Sequence, residues 1–265
     1  MEPLELGIVL LAGVLAGTIN TVVGAGTLIT FPLLVALGVP PLTANVSNTV
    51  GLVPAAVTGA WGYRRELRGH WPTVARMAGL SALGGVAGGL LLLAAPAESF
   101  TAVVPWLLVL AAVLAAVQPR VAAFLRRRAQ SAGANVTQTH HADISTMPLA
   151  WGLGVGIAAT GVYGGYFGAA QGVVLVALLG IAWTTDLQRA NGAKNVLAGV
   201  ANLVSATVFV VGGVVDWQLA ALIAVGSALG GVIGSRVGRR IPAPVLRTLI
   251  VVVALAAAAV IALDR

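Results

Sequence analysis

The sequence predicts an all-α polytopic membrane protein. Its plan is an inverted-topology duplication: each half has three long helices and a broken or re-entrant opening segment, about eight long helices and two short ones in total. Three observations carry this expectation. First, the 265 residues are 58% hydrophobic and only 9% charged, with a mean hydropathy of +0.98, far outside the range of soluble domains. Second, SALGGVAGG from Ser81 recurs as SALGGVIGS from Ser227, an offset of 227 − 81 = 146 that also carries Trp71 onto Trp217, Pro96 onto Pro242, Ala44 onto Ala190 and Asn45 onto Asn191. Third, arginines in matched loops change sides. The loop after the second long helix of the first half carries Arg64, Arg65, Arg68 and Arg76, and its counterpart at 212–222 carries no basic residue. Residues 90–100 hold only Glu98 as a charge, whereas the matched 236–246 hold Arg236, Arg239 and Arg240. Basic residues keep short loops in the cytoplasm, so reversed counts predict reversed insertion.

The elements follow in chain order. Met1 to Glu5 lack the basic region of a secretory signal, so the first apolar segment, 4–23, is expected to remain as a membrane helix. Residues 27–38 are apolar but would make a helix of only about 18 Å, against a hydrocarbon core of about 30 Å. They are read as a short helix behind a turn at membrane depth. Apolar runs at 43–62, 72–94 and 101–125 supply the spans of the first half, and 189–211, 217–238 and 244–263 those of the second. Continuous apolarity, as at 107–117, excludes the alternating strands of a barrel. The halves are assigned to 1–128 and 147–265, joined by a polar linker at 129–146. Arg120, Arg126, Arg127 and Arg128 place the end of the first half in the cytoplasm, where the second begins. Three long helices per half already make an odd number of crossings, so each opening segment must cross twice or enter and return. Trp71 and Trp217 read as interfacial anchors, SALGGV and its copy as helix-packing surfaces, and Pro32 and Pro54 as kinks.

The functional reading starts at AGTINTVVGAGT, residues 16–27, and its partner ATGVYGGYFGAAQG, residues 159–172. With a slip of two residues, Gly17 meets Gly161 and Gly24 meets Gly168. Backbone groups freed by a helix break survive in a membrane only where protein or a water-lined cavity satisfies them. The short helix that follows is expected to offer unpaired N–H groups and a positive dipole end, which suits an anion. In the first half this end is 24–28, and in the second 168–172. Asn20, Gly24, Gly26, Thr27, Tyr163, Gly164, Gly168 and Gln171 are therefore candidate substrate-binding residues; close helix packing by small residues is the competing explanation for the glycines. GAGT is a poor nucleotide loop, since no Lys-Ser/Thr pair follows it.

A second polar cluster, ANVSNT at 44–49, matches ANGAKN at 190–195, and adds Asn48, Thr49, Lys194 and Asn195. Lys194 is the only lysine in the chain. A charge inside an apolar segment is costly and marks function by default, with snorkelling to the surface beside Arg189 as the alternative. All eight acids fall at predicted ends, loops or interfaces, which favours an anion over a metal cation as substrate. The coupling ion, proton or sodium, stays open. With no cysteine, neither disulfides nor thiolate metal sites are possible. His140 and His141, near Asp143 in the linker, read as solvated side chains, and no metal or cofactor is expected. The net charge of +7 reflects orientation-setting arginines, not nucleic-acid binding. No nucleophile, base and orienting acid can be assembled at membrane depth, so an enzyme is not expected.

AGTINTVVGAGTLITFPLLVALGVPPLTANVSNTVG, then GHW, SALGGVAGG, VDW and SALGGVIGSRVGRRIP, together resemble the TauE/SafE family of sulfite exporters over nearly the whole chain. The family's glycine-rich stretch after an asparagine maps onto Asn20, Gly24 and Gly26. Departures are Ala25 and Thr27 in the first copy, and Tyr163 and Gly164 where the first copy has Ile19 and Asn20. The resemblance implies export or uptake of sulfite, sulfonates or related organic anions. The expected protein is an inner-membrane secondary carrier for a small sulfur-containing or carboxylate anion, working by alternating access to a midplane site; a passive anion channel is the alternative. Its expected partners are the anion and the lipid bilayer, and a homo-oligomer is compatible with the sequence.

Overall fold

A computed structural model describes residues 2–134 and 151–237, and the described residues form helices without strands. The first half holds α1 (Pro3–Val22), α2 (Thr27–Ala36), α3 (Pro41–Gly62), α4 (Trp71–Ala94) and α5 (Ala97–Ala134). The second holds α6 (Trp151–Tyr166), α7 (Gln171–Ala182), α8 (Leu187–Val211) and α9 (Trp217–Val237). Five of these, α1, α4, α8, α9 and the 97–125 part of α5, are long and apolar enough to cross a membrane, so the chain is a multi-pass membrane protein. The helix expected at 244–263, Arg239, Arg240 and the His140–His141 pair lie outside the described residues. α5 is longer than its apolar run and continues to Ala134, so the first residues of the expected linker are helical.

Helix starts are written locally. Pro3 at the first turn of α1 follows Glu2, whose N–H donates to the Glu5 carboxylate at 2.9 Å while the Glu2 carboxylate accepts in return, a reciprocal capping box. Asp186 accepts the N–H groups of Gln188 (2.9 Å) and Arg189 (3.2 Å) to open α8. Asp216 does the same for Gln218 (3.0 Å) and Leu219 (3.1 Å) in α9. Trp71 and Trp217 are the first residues of α4 and α9 and stay 44% and 61% exposed, as anchors at a membrane interface would. Pro32 and Pro54 sit inside α2 and α3.

The halves exchange partners. α1 packs on α9 and α6 on α4, while α3 meets α9 and α4 meets α8. Single side chains repeat the exchange: Ser81 donates to the carbonyl of Leu197 at 2.9 Å, and Ser227 donates to that of Gly51 at 2.6 Å. Both the serines and the acceptors are separated by the same 146 residues (227 − 81 and 197 − 51). The SALGGV surfaces are close-packed: a Cβ on Gly88 would fall 2.1 Å from the Val162 carbonyl oxygen, and one on Gly230 would fall 2.1 Å from that of Val14. Glycine here allows backbone to rest on backbone.

α3 is long but comparatively polar, and its polar residues turn inward: Asn45, Ser47, Asn48 and Thr49 are all buried. The same holds at the start of α8, where Lys194 and Asn195 are buried. Polar stretches that an apolar solvent would penalise therefore line the middle of the bundle, next to the two short helices.

A candidate site where the two breaks meet

Both opening helices end in the same turn. The Ile19 carbonyl accepts the N–H groups of Val23 (2.7 Å) and Gly24 (3.1 Å), and the Tyr163 carbonyl accepts those of Phe167 (2.9 Å) and Gly168 (3.0 Å). Gly24 and Gly168 both adopt positive φ, +85° and +74°, the left-handed conformation that a Cβ disfavours. The chain then reverses into α2 or α7, helices of 10 and 12 residues that are too short to span.

The breaks touch. The Gly172 N–H, at the start of α7, donates to the Gly24 carbonyl at 3.1 Å. A Cβ on Gly24 would lie 2.4 Å from Gly172 Cα, and one on Gly172 would lie 2.5 Å from Gly24 Cα. Only two glycines fit this approach. Phe167, beside the second turn, packs edge-on against Phe31 of α2 with centroids 5.2 Å apart.

Lys194 reaches this junction from α8. It is 1% exposed, and its Nζ donates to the carbonyls of Asn20 (3.0 Å) and Thr21 (2.9 Å), in the last turn of α1. Those carbonyls have no continuing helix to accept from and form the negative end of the α1 dipole. The Asn195 amide also donates to Thr21, at 3.4 Å. The side chain is buried and does not snorkel to the surface beside Arg189: it caps a helix of the other half. Asn45 does the neutral equivalent, donating its amide to the Tyr166 carbonyl at the end of α6 (2.9 Å).

The remaining candidates fall into smaller groups. Asn20 Oδ1 accepts the Gly26 N–H at 3.4 Å, joining α1 to the start of α2. Asn48 donates to Thr27 Oγ1 at 3.2 Å and accepts from the Thr30 hydroxyl, tying α3 to α2. Tyr163 donates to the Ala169 carbonyl at 2.6 Å and Gln171 to the Thr160 carbonyl at 3.2 Å, while Gly164 leaves room for the Gln171 side chain. These bonds hold the α6–α7 turn. Thr49 donates back to Asn45 of its own helix at 2.9 Å and does not join the junction. Gly168 serves the turn, whereas its neighbour Gly172 makes the contact with Gly24.

The expectation of unpaired N–H groups at the short-helix ends needs correction at several positions. Leu28 and Ile29 donate to Ala25 and Gly26, Gln171 and Val173 to Gly168 and Ala170, and Gly172 to the opposite break. Local turns satisfy the first four, and the other half satisfies Gly172. Four further residues complete the site: Thr21, Thr30, Asn45 and Gly172. All lie in the polar stretches already visible in the sequence or next to them, but their roles depend on contacts between halves that no local pattern encodes.

Two cavities reach α8 near Lys194, one at Asn195 and one at Asn191. One, of about 560 Å³, lies between α3 and α8, with Asn195 on its lining and Arg64, Arg68, Trp61 and Trp71 among its other lining residues. The other, of about 50 Å³, contains Asn191, Gln118, Val23 and Val173 in its wall. The Arg64 guanidinium stacks on Trp61, 4.4 Å from the ring centroid, and donates to its carbonyl at 2.8 Å. No group of three or more histidines, cysteines or acids that could hold a metal occurs among the described residues.

Duplicated broken helices meeting at a buried charge, in a multi-pass helical bundle, define the class of membrane transporters. Comparison places the chain more narrowly: it belongs to the family described as Sulfite exporter TauE/SafE, whose profile matches residues 9–261. It is 27% identical over 257 residues to a protein of Sinorhizobium sp named Probable membrane transporter protein ORF9, covering 96% of this chain and 90% of that one. It is 25% identical over 258 residues to Probable membrane transporter protein YfcA of Escherichia coli (strain K12), covering 96% and 88%. A Probable membrane transporter protein of Haemophilus influenzae is 26% identical over 246 residues, covering 88% and 87%. No solved structure matches significantly. The chain is thus a membrane transporter by family, not an enzyme.

Proposed function

We propose that this transporter is a secondary carrier in the inner membrane for a small anion, sulfite, a sulfonate or a related organosulfur or carboxylate anion, with its halves inserted in opposite orientations. The observation that carries the reading is the meeting of the two breaks beside the buried ammonium of Lys194. An ammonium has three donors, and the α1 carbonyls use two. The third, with the positive charge, is what an anion at the junction would meet. The family description, with sulfite in it, supports the substrate class.

The junction is closed in this structure by backbone contact between Gly24 and Gly172. An anion enters only when those tips part, and a site that must open is suited to alternating access. The exchanged pairing of the halves and their reversed loop arginines support opposite insertion, so that equivalent movements expose the site to opposite sides. The cavities by Asn191 and Asn195 lie beside the Lys194 segment of α8, where an anion would approach it.

The test is a thermal-stability screen of the purified protein against sulfite, thiosulfate, sulfonates, sulfate and small carboxylates, followed by flux of any stabilising anion in proteoliposomes. Saturable stabilisation is expected, since binding to the folded state alone raises its stability. Neither stabilisation nor flux with any of these anions would refute the reading.

A further inference from the structure

The Lys194 ammonium occupies the kind of site that a free cation takes in other proteins: the carbonyl end of an interrupted membrane helix. Its ligands are the carbonyl oxygens of Asn20 at 3.0 Å and Thr21 at 2.9 Å, both hard neutral oxygens of the type that alkali cations accept. Beside them the Thr21 hydroxyl oxygen is buried without a hydrogen-bond partner. It faces Gly59 of α3, where a Cβ would come within 3.0 Å of it, and the Asn195 side chain lies against the same point. An orphaned hydroxyl next to two negative carbonyls is an unfilled oxygen ligand.

Capping alone does not require the charge. The matching end of α6 is capped by the neutral amide of Asn45, and the position that aligns with Lys194 in the first half is the neutral Asn48. Among the described residues no carboxylate takes part at Lys194; its hydrogen bonds go to backbone carbonyls. A buried charge is expensive, and one retained where a neutral donor serves in the sister half is there for its charge.

From this geometry we infer that the carbonyls of Asn20 and Thr21, with the Thr21 hydroxyl, form a monovalent-cation cradle that Lys194 fills as a tethered cation, so that the wild-type protein binds no free alkali ion there. Removing the tether opens the cradle to sodium or ammonium. The inference concerns cation binding and stands whether or not the transported anion is a sulfur compound, because it is read by stability without substrate.

The experiment measures thermal midpoints of wild type, Lys194→Ala and Lys194→Gln in detergent, in sodium, ammonium or choline chloride at equal ionic strength. Wild type is expected to melt alike in all three. Lys194→Ala should melt lower in choline and rise saturably with sodium or ammonium, and Lys194→Gln, with an amide in place of the charge, should stay below wild type in choline. Saturable stabilisation of wild type by sodium would overturn the inference. So would a Lys194→Ala protein that is insensitive to all three salts or folds in none of them, or a Lys194→Gln protein as stable as wild type in choline.

Discussion

Gly172 is the residue on which the junction most depends. A Cβ there would lie 2.5 Å from Gly24 Cα and 2.8 Å from Lys194 Cδ, so Gly172→Ala should lose about 1 to 3 kcal/mol of stability by overpacking, along with anion flux. Thermal melts and proteoliposome uptake read both. Thr49→Val makes the opposite case, because that hydroxyl bonds only its own helix; uptake by this variant should match wild type. Outside the membrane, burial holds the His70 imidazole below its ordinary value of 6.5, helped by the positive charge of Arg189 and opposed by Asp186. A base depressed in the folded state takes up its proton first in the unfolded chain. The wild type should therefore lose stability as pH falls from about 6.5 toward the lower folded value, and His70→Gln should flatten that slope in melts recorded across it. Sequence already singled out Gly24 and Lys194, because a turn glycine and a lone buried lysine are conspicuous locally. It did not show that the Thr49 hydroxyl bonds its own helix, and it passed over Thr21, because a hydroxyl's partner depends on which way its helix is rotated in the bundle.

Helices were legible where composition decides them. α4, α8 and α9 begin and end within two residues or so of their apolar runs, since the runs are long and capping aspartates or prolines mark their starts. The end of α5 was not, because the helix continues through Arg126, Arg127 and Arg128, polar residues that hydropathy reads as loop. The repeated SALGGV elements made packing readable in advance, and the serines set its register. Ser81 and Ser227 each donate across to a backbone carbonyl of the other half, so Ser81→Ala and Ser227→Ala should each cost about 1 kcal/mol. Denaturation of both variants side by side checks the equality that the exchanged pairing implies. A large cost at one serine and none at the other would mean that the two contacts are not equivalent.

At the scale of the whole molecule, the duplicated sequence becomes two broken helices whose tips share a backbone hydrogen bond, with Lys194 of one half holding the helix end of the other. Anything bound between the tips must separate them, and in the proposed function an ammonium shared between the α1 carbonyls and an arriving anion would couple that separation to binding. A pore would need no such contact. The most direct measurement is counterflow of labelled sulfite, or of whichever anion stabilises the protein, in proteoliposomes loaded with the unlabelled anion. Transient, saturable accumulation of label by wild type, lost in folded Gly172→Ala, is the predicted result. Unitary currents from wild type without counterflow would contradict the account.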